Sequence, residues 1–268
     1  MGFIRGGLLF ITGILLLVSF LAGNVFLTLT LSMTSEDIQK EVVSNFDEIT
    51  ELAGEDVNLT KELEENFYII EEYCINNSDY VFSEQGYTVD IPCDVVEQGP
   101  DAVMEEGIKD VVNKIYYEEY TCDSFWRCLF NSENPLFLVS EQTKNYLQNK
   151  FYYSLVISLF LILVMFFLVE QKTNLFLATG SLLMISSLPF MKINTLFSFF
   201  NYSFLQFFPI LFSKAYFVFL ITFIAGIIIL LLGIALKFFN IGIFISEKLD
   251  NLASKKKTSK RKSSKKEI

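Results

Sequence analysis

Residues 7–31 read GLLFITGILLLVSFLAGNVFLTLTL, a run that contains no charged side chain. As a helix it is long enough to cross the roughly 30 Å hydrocarbon layer of a membrane. Arg5 lies just before it, and basic residues favour the cytoplasmic side, so the N-terminus is expected inside the cell. A cleaved signal peptide is the alternative, because Ala22 and Gly23 suit a cleavage site. The run continues beyond these two small residues, which favours a retained transmembrane helix.

The rest of the chain has the same apolar character. Of its 268 residues 52% are hydrophobic and 29 are Phe, which exceeds what a soluble core requires. Uncharged runs at 151–169, 175–191 and 215–236 predict three more spans. The predicted segments are a first transmembrane helix (1–32), an acidic helical domain (33–149), transmembrane helices two and three (150–192), an aromatic interfacial loop (193–214), transmembrane helix four with an inner interfacial extension (215–246) and a basic disordered tail (247–268). We therefore predict a mainly α-helical, four-span membrane protein.

Residues 33–149, here called the polar insertion, separate the first two spans. They hold 27 acidic and 6 basic side chains and all four cysteines of the chain, Cys74, Cys93, Cys122 and Cys128. Cysteines confined to a polar segment suit disulfides outside the reducing cytosol, with free or metal-binding thiols as the alternative. Proximity in sequence favours pairing Cys74 with Cys93 and Cys122 with Cys128, although four cysteines allow three pairings. We expect a disulfide-linked domain on the outer side of the membrane.

Several stretches of the polar insertion have apolar residues at helical spacing. One helix is expected to be capped by Ser35 and to end at Gly54, and a second to begin at Asn58 or Thr60 and pack antiparallel against the first. A third is expected to begin at Pro100, and a fourth, capped by Ser140, to continue into the second span. The predicted buried positions are Ile38, Val42, Phe46, Ile49, Leu52, Leu63, Phe67, Ile70, Cys74, Met104, Ile108, Val111 and Ile115. An up-down helical bundle satisfies this connectivity.

One stretch of the polar insertion changes period. Residues 80–93 read YVFSEQGYTVDIPC, in which Tyr87, Val89 and Ile91 alternate with polar residues after the turn residue Gly86. Alternation with period two is typical of a strand that is buried on one face. The stretch therefore predicts a small β-hairpin within the helical domain.

The apolar spans contain small residues that suit close helix contact in lipid. Ala178, Gly180 and Ser181 lie in the third span, and Gly226 and Gly233 lie seven residues apart in the fourth. In a membrane, packing and hydrogen bonding replace the hydrophobic drive between helices. We interpret these residues as ordinary packing positions.

The C-terminal tail is strongly basic, with 8 basic side chains against 1 acidic side chain in residues 254–268. The basic residues are Lys255, Lys256, Lys257, Lys260, Arg261, Lys262, Lys265 and Lys266. Such a tail is expected to bind anionic lipid headgroups on the cytoplasmic side of the bilayer, and no nucleic acid is needed as a partner. With both termini inside, the number of spans is even, so the polar insertion lies outside a cell membrane.

Three sequences match the acceptor pattern for N-glycosylation. They begin at Asn58, Asn76 and Asn201. All three fall on the side of the membrane that the predicted topology places outside.

The layout of four spans, a large first outer loop and a very short inner turn resembles the claudin-type and other tetraspan layouts. The cysteine-flanked CDSFWRC stretch around Trp126 is similar to the claudin outer loop, but the Trp-Gly-Leu-Trp pattern of that family is missing. The chain also resembles uncharacterised multi-pass membrane proteins of archaea. That likeness rests on the GGLLFITGILLLVSFLAGNVFLTLTLS opening, the IPCDVV stretch and the SSLPF run. It implies the same membrane topology and no activity.

The absence of histidine from the sequence removes several classes of enzyme. Ser-His-Asp and Cys-His nucleophiles need an imidazole base, and histidine-ligated zinc sites need the same side chain. The clustered carboxylates offer oxygen ligands for Ca²⁺, but no EF-hand loop is present and a solvated helix face explains them. We expect no enzyme activity, no cofactor and no metal.

The best candidate for recognition is the short segment between the last two cysteines. Phe125, Trp126 and Arg127 include residue types that are enriched at binding hot spots, although packing of Trp126 onto the domain or the membrane interface is the alternative. We predict a non-enzymatic membrane protein whose outer domain binds an unknown membrane or extracellular protein, with a homo-oligomer left open. One alternative is a channel or transporter subunit capped by the outer domain. Another is a membrane sensor without its own output domain.

Overall fold

The computed structural model describes residues 3–44, 46, 59–84, 87–120, 125, 127–128, 135–193 and 211–263, the part from 240 onward as backbone alone. In chain order its helices are α1 (Phe3–Ser32), α2 (Ser35–Ser44), α3 (Leu59–Cys74), α4 (Cys93–Val96), α5 (Pro100–Tyr117), α6 (Glu141–Leu168), α7 (Lys172–Ser187) and α8 (Ala215–Ser263), and its strands are β1 (Asp79–Glu84) and β2 (Tyr87–Pro92). Short 3-10 segments span Pro135–Val139 and Leu188–Lys192. The mainly helical fold class is confirmed, including the hairpin.

Four helical stretches are long and apolar enough to cross a membrane. They are Ile4–Ser32, Glu141–Leu168, Lys172–Lys192 and Ala215–Phe239. Large apolar side chains cover their surfaces; Phe10 and Phe167, for example, are each 70% exposed. Contiguous apolar surface of this kind is stable in lipid and not in water. The four spans predicted from the sequence are therefore present as helices, which is consistent with a multi-pass membrane protein.

The chain divides into two compact units. The span unit comprises residues 1–22, 154–188 and 219–268, and the hairpin unit comprises residues 23–153 and 189–218. The first unit is built from helices only, and the second combines helix and strand in the described residues.

The span unit is joined by side-chain packing and by polar ties at its helix ends. Leu16, Met165 and Leu175 form its buried apolar cluster. The Arg5 guanidinium donates to the Leu168 carbonyl oxygen over 2.6 Å and forms a 3.3 Å ion pair with Glu170. These bonds supply a partner to a helix-terminal carbonyl of α6, which has no bonding partner within its own helix.

Lys172 satisfies further carbonyl groups at the same helix terminus. Its ammonium donates to the carbonyl oxygens of Phe166 and Val169 and lies 4.1 Å from the centroid of the Phe166 ring. A cation at a helix C-terminus is stabilised by the helix dipole. The predicted short turn between the second and third spans is thus confirmed, with Lys172 as its anchor.

Small residues let α7 and α8 approach at backbone distance. A methyl group added at Gly180 would lie 2.7 Å from the amide nitrogen of Leu230 and 2.8 Å from the carbonyl oxygen of Gly226. One added at Gly233 would lie 3.0 Å from the amide nitrogen of Leu177. The sequence analysis interpreted these glycines as ordinary packing positions, and the structure places them where the backbones of α7 and α8 come close.

Three hydroxyl groups connect α1 to α6 inside the span unit. The hydroxyl oxygens of Ser19 and Ser158 lie 2.9 Å apart, and the Ser154 hydroxyl donates to the Ser19 carbonyl oxygen over 2.8 Å. The Ser19 hydroxyl also lies 3.2 Å from the carbonyl oxygen of Ser154. In lipid such bonds join helices because an unpaired hydroxyl would be costly. These buried hydroxyls serve helix contact.

The hairpin unit has a first apolar core between α3, the hairpin and α5. Phe67 and Ile70 come from α3, Val89 and Ile91 from β2, and Val103 from α5. In β2 the buried Val89 and Ile91 alternate with exposed residues, as the period-two pattern predicts. Five buried aliphatic and aromatic side chains of this size supply roughly 1.5–3 kcal/mol each.

A second core lies on the other side of α5. It contains Met33, Ile38, Tyr116 and Leu147, and the Tyr116 hydroxyl donates to the Met33 carbonyl oxygen over 3.1 Å. Burial raises the pKa of Tyr116 to about 12, and the nearby negative charge of Glu141 acts in the same direction. Tyr116 is therefore held neutral as a hydrogen-bond donor.

This two-sided packing corrects the predicted bundle. The first two helices were expected to pair, but in the described residues α2 packs on α5, and α3 packs on α5, α4 and β1. The most buried residues of α5 are Val103 and Tyr116, because this helix is covered on two sides and not along one stripe. The positions Ile49, Leu52 and Gly54 lie outside the described residues.

The C-terminal part differs from the prediction of a disordered tail after residue 246. Helix α8, which contains the fourth span, continues to Ser263. Lys, Leu, Ala and Glu are strong helix formers, so this stretch can continue a helix that already has a nucleus in the span. The aromatic interfacial loop predicted for 193–214 falls almost entirely outside the described residues.

Candidate functional site

A disulfide fixes the scaffold of the candidate site. Cys74 at the end of α3 is bonded to Cys93 at the start of α4, with their Cα atoms 5.4 Å apart. The prediction of this pair is confirmed. Closing a loop of about 15 to 20 residues stabilises a fold by about 3 kcal/mol in the chain-entropy account. The loop that it closes contains the whole hairpin.

The second predicted disulfide is described in part. Cys128 is disulfide-bonded and almost fully buried. Its predicted partner, Cys122, lies outside the described residues. The pairing of these two cysteines stays a prediction.

The predicted recognition segment is only partly available for binding. The Phe125 ring stacks on the Tyr146 ring at 4.1 Å between centroids and 4° between planes, and it also contacts Phe137. Arg127 is exposed, and Trp126 lies outside the described residues. Phe125 therefore packs onto α6, whereas the alternative interpretation, packing of Trp126, stays a prediction.

The two edges of the hairpin differ in how they are covered. On β2, the backbone amide of Asp90 donates to the Asp110 carboxylate over 3.1 Å, and the carbonyl oxygen of Thr88 accepts from the Lys114 ammonium. Asp110 and Lys114 belong to α5 and form a 2.7 Å ion pair with one another. Helix α5 thus gives partners to two outward backbone groups of β2 and covers that edge.

The free edge of β1 follows from the strand register. The Cys93 amide donates to the Ser78 carbonyl oxygen over 2.9 Å, and Asp79 pairs with Pro92, which has no N–H group. Because bonded and non-bonded pairs alternate in an antiparallel ladder, Tyr80 and Phe82 bond to β2. The backbone groups of Asp79, Val81 and Ser83 consequently point away from it.

No third strand covers these outward groups among the described residues, because the sheet there has two strands only. Natural proteins usually protect a strand edge by shortening, bulging or covering it, as α5 does for β2. The edge of β1 has no such cover in the described part of the chain.

Exposed apolar side chains lie beside this edge. Val81 is 54% exposed and Phe82 is 43% exposed in β1. From α3 come Ile69 at 49%, Tyr73 at 45% and, just beyond its end, Ile75 at 76%. Tyr73 packs edge-on against Tyr80 of β1, with ring centroids 5.5 Å apart, which places this side of α3 next to the strand. We call these five residues, with the outward backbone of 79, 81 and 83, the β1 surface.

Negative charge surrounds the β1 surface. Glu72 of α3 and Asp79 of β1 are exposed, and no ion pair involves them among the described residues. In contrast, the acidic residues of α5 next to β2 are paired: Lys109 binds Glu105 over 2.7 Å, and Lys114 binds Asp110. Glu72 and Asp79 therefore add negative charge, without an ion pair among the described residues, to the surroundings of the β1 surface.

The remaining predicted sites lie elsewhere. Asn76 is exposed in the turn after α3, next to Ile75, whereas Asn58 and Asn201 lie outside the described residues. The six basic residues of the tail from Lys255 to Lys262 belong to the backbone of α8, and Lys265 and Lys266 lie outside the described residues.

Sequence reasoning did not find the β1 surface. It recognised the hairpin, but which edge remains open depends on the contacts of Lys114 and Asp110, which are 24 and 20 residues from their partners in β2. The available signal in the sequence was the presence of Ile75 and Val81 in a polar stretch, since large aliphatic side chains are unusual at a domain surface in groups.

Comparisons with known proteins found no similarity to this chain. No family model matches it, and neither a curated protein nor a solved structure matches it.

Proposed function

We propose that the polar insertion is a non-enzymatic docking domain for another protein, held outside a cell membrane by the four spans. The observation that supports it is the β1 surface: exposed apolar side chains and a strand edge that no described residue covers, on a disulfide-linked scaffold. Groups of this kind mark interaction sites on otherwise soluble domains. On this proposal both termini lie in the cytoplasm and the basic tail binds anionic lipid there.

Site-specific photo-crosslinking in native membranes tests this function. A photoreactive amino acid replaces Ile75 in the full-length protein, and we expect one protein adduct of defined mass after illumination. A second change, Ile69→Glu, should lower the yield of this adduct about tenfold, because it places an unpaired charge in the apolar contact. Asn145→Glu adds the same charge to an exposed position of α6 outside the β1 surface and should leave the yield unchanged.

Two results would contradict docking at this surface. One is an adduct with lipid only, which would mean that Ile75 contacts the bilayer. The other is an equal yield in the wild-type and Ile69→Glu proteins, since a specific apolar contact is then absent.

A further inference from the structure

We propose that the occupant of the β1 surface is an extended, lysine- or arginine-bearing segment of another protein, which pairs with β1 as a third strand. This inference rests on the docking function proposed above and adds the chemistry of the partner. Three properties of the β1 surface support it: its unused backbone groups, the placement of its apolar side chains and the charge around it.

Backbone hydrogen bonding favours an extended partner. The outward N–H and C=O groups of Asp79, Val81 and Ser83 are spaced two residues apart, which is the spacing at which an incoming strand bonds. Peptides that add to a sheet edge gain affinity from such main-chain bonds. A helix or a globular surface could cover the apolar side chains but would leave these groups without partners.

The side chains of the β1 surface indicate where the partner is apolar. Successive residues of a strand point to opposite faces, so Phe82 shares the face of Tyr80, which packs against the first core and against Tyr73. A third strand would therefore place every second side chain next to Phe82, Tyr73 and Ile69. Apolar residues at alternating positions of the partner fit this face.

The charge of the β1 surface indicates the rest of the partner. Glu72 and Asp79 are exposed there without an ion pair among the described residues, and the polar insertion holds 27 acidic against 6 basic residues. A basic segment would be attracted and its association accelerated at low salt. A second copy of this chain would bring equal negative charge to the same place, so edge-to-edge dimerisation is disfavoured.

A peptide-binding experiment tests strand addition. The full-length protein is placed in nanodiscs of zwitterionic lipid, so that the bilayer does not attract cations. Binding of a fluorescent peptide of alternating Val and Lys is then measured by anisotropy. We expect saturable binding that weakens with added salt, and at least about tenfold weaker binding when Glu replaces Lys in the peptide.

Two changes isolate the backbone bonds. Val81→Pro removes an outward N–H that β2 does not use, and proline is tolerated on such strand edges. We expect it to weaken peptide binding about tenfold, and clearly more than the matched Val81→Thr, which keeps the N–H and the branched shape and loses only apolar contact. Independently of any variant, a peptide that is N-methylated at every second residue keeps its charge but cannot pair, and should bind about tenfold more weakly.

The outcomes separate this inference from the docking function. Absent peptide binding, equal binding by Val81→Pro, or equal binding of the N-methylated peptide would overturn strand addition. If strand addition is overturned in this way but Ile69→Glu still lowers crosslinking at Ile75, the docking function stands without strand addition. If the protein alone forms a dimer and Val81→Pro converts it to a monomer, the occupant of the β1 surface is a second copy of this chain and not a basic partner. If Ile69→Glu does not lower crosslinking and the peptide does not bind, both the docking function and strand addition are contradicted.

Discussion

Asp37 and Lys214 form the closest side-chain ion pair of the hairpin unit in the described residues, with 2.5 Å between carboxylate oxygen and ammonium nitrogen. Thr34 donates to the same carboxylate over 2.7 Å, and the Lys214 backbone amide donates to the Ser32 hydroxyl over 3.1 Å. The pair therefore joins the start of α2 to the segment that precedes α8. Burial opposes ionisation of Asp37, but the hydrogen bonds from Lys214 and Thr34 outweigh it and lower its pKa from 3.8.

This lowered pKa predicts a loss of stability in acid. A carboxyl group whose folded pKa lies below its unfolded value stabilises the fold above the unfolded pKa, and this contribution is lost as the pH falls through the folded pKa. Asp37→Asn should therefore unfold more easily by about 0.5–1 kcal/mol near neutral pH and lose less stability than wild type below about pH 4. Thermal unfolding of both proteins across this pH range measures the difference; parallel curves would exclude an ionised Asp37 as the cause.

At the scale of single residues, local patterns were predictable and long-range contacts were not. Ser140 caps α6 as expected, since its hydroxyl accepts from the Thr143 amide over 3.3 Å. The expected cap at Ser35 is displaced by one residue, because Thr34 accepts from the Asp37 amide. The partners of Phe125 and Lys214 depend on distant parts of the chain and leave no local pattern in the sequence.

The contact between α7 and α8 permits an element-scale prediction. Gly180→Ala would place a methyl group against backbone atoms of α8, which cannot rotate away as a side chain can. It should destabilise the protein by about 1–3 kcal/mol. Gly13→Ala in α1 is the matched control, because nothing lies within 4 Å of its added methyl group. Resistance to thermal unfolding in detergent measures both. A loss of stability in Gly13→Ala as large as in Gly180→Ala would exclude close helix contact as the cause.

Elements in which apolar residues form a long uncharged run or recur at regular spacing were predictable from the sequence. The spans follow from uncharged length, and the hairpin follows from alternation around a turn residue. The packing partner of each helix was not predictable, because α5 carries apolar residues on two sides: Val111 faces the first core and Val112 the second. A single stripe of apolar positions describes a helix with one neighbour, and α5 has two.

At the scale of the whole molecule, the polar and apolar parts of the chain have different roles. The described span helices carry few ionisable side chains, and the hydroxyls of Ser19, Ser154 and Ser158 bond to the neighbouring helix. In the described residues, the polar insertion instead has charges without an ion pair, a disulfide and a strand edge that nothing covers. These features are the reason why we propose recognition for the insertion and anchoring for the spans.

Amide hydrogen exchange of the hairpin in the full-length protein tests the open edge of β1 most directly. The N–H groups of Val81 and Ser83 should exchange rapidly, whereas those of Phe82, bonded to β2, and Asp90, bonded to Asp110, should be protected. Binding of the basic alternating peptide should then slow exchange at Val81 and Ser83. Protection of Val81 equal to that of Phe82 in the free protein would contradict the account, because the edge would already be covered.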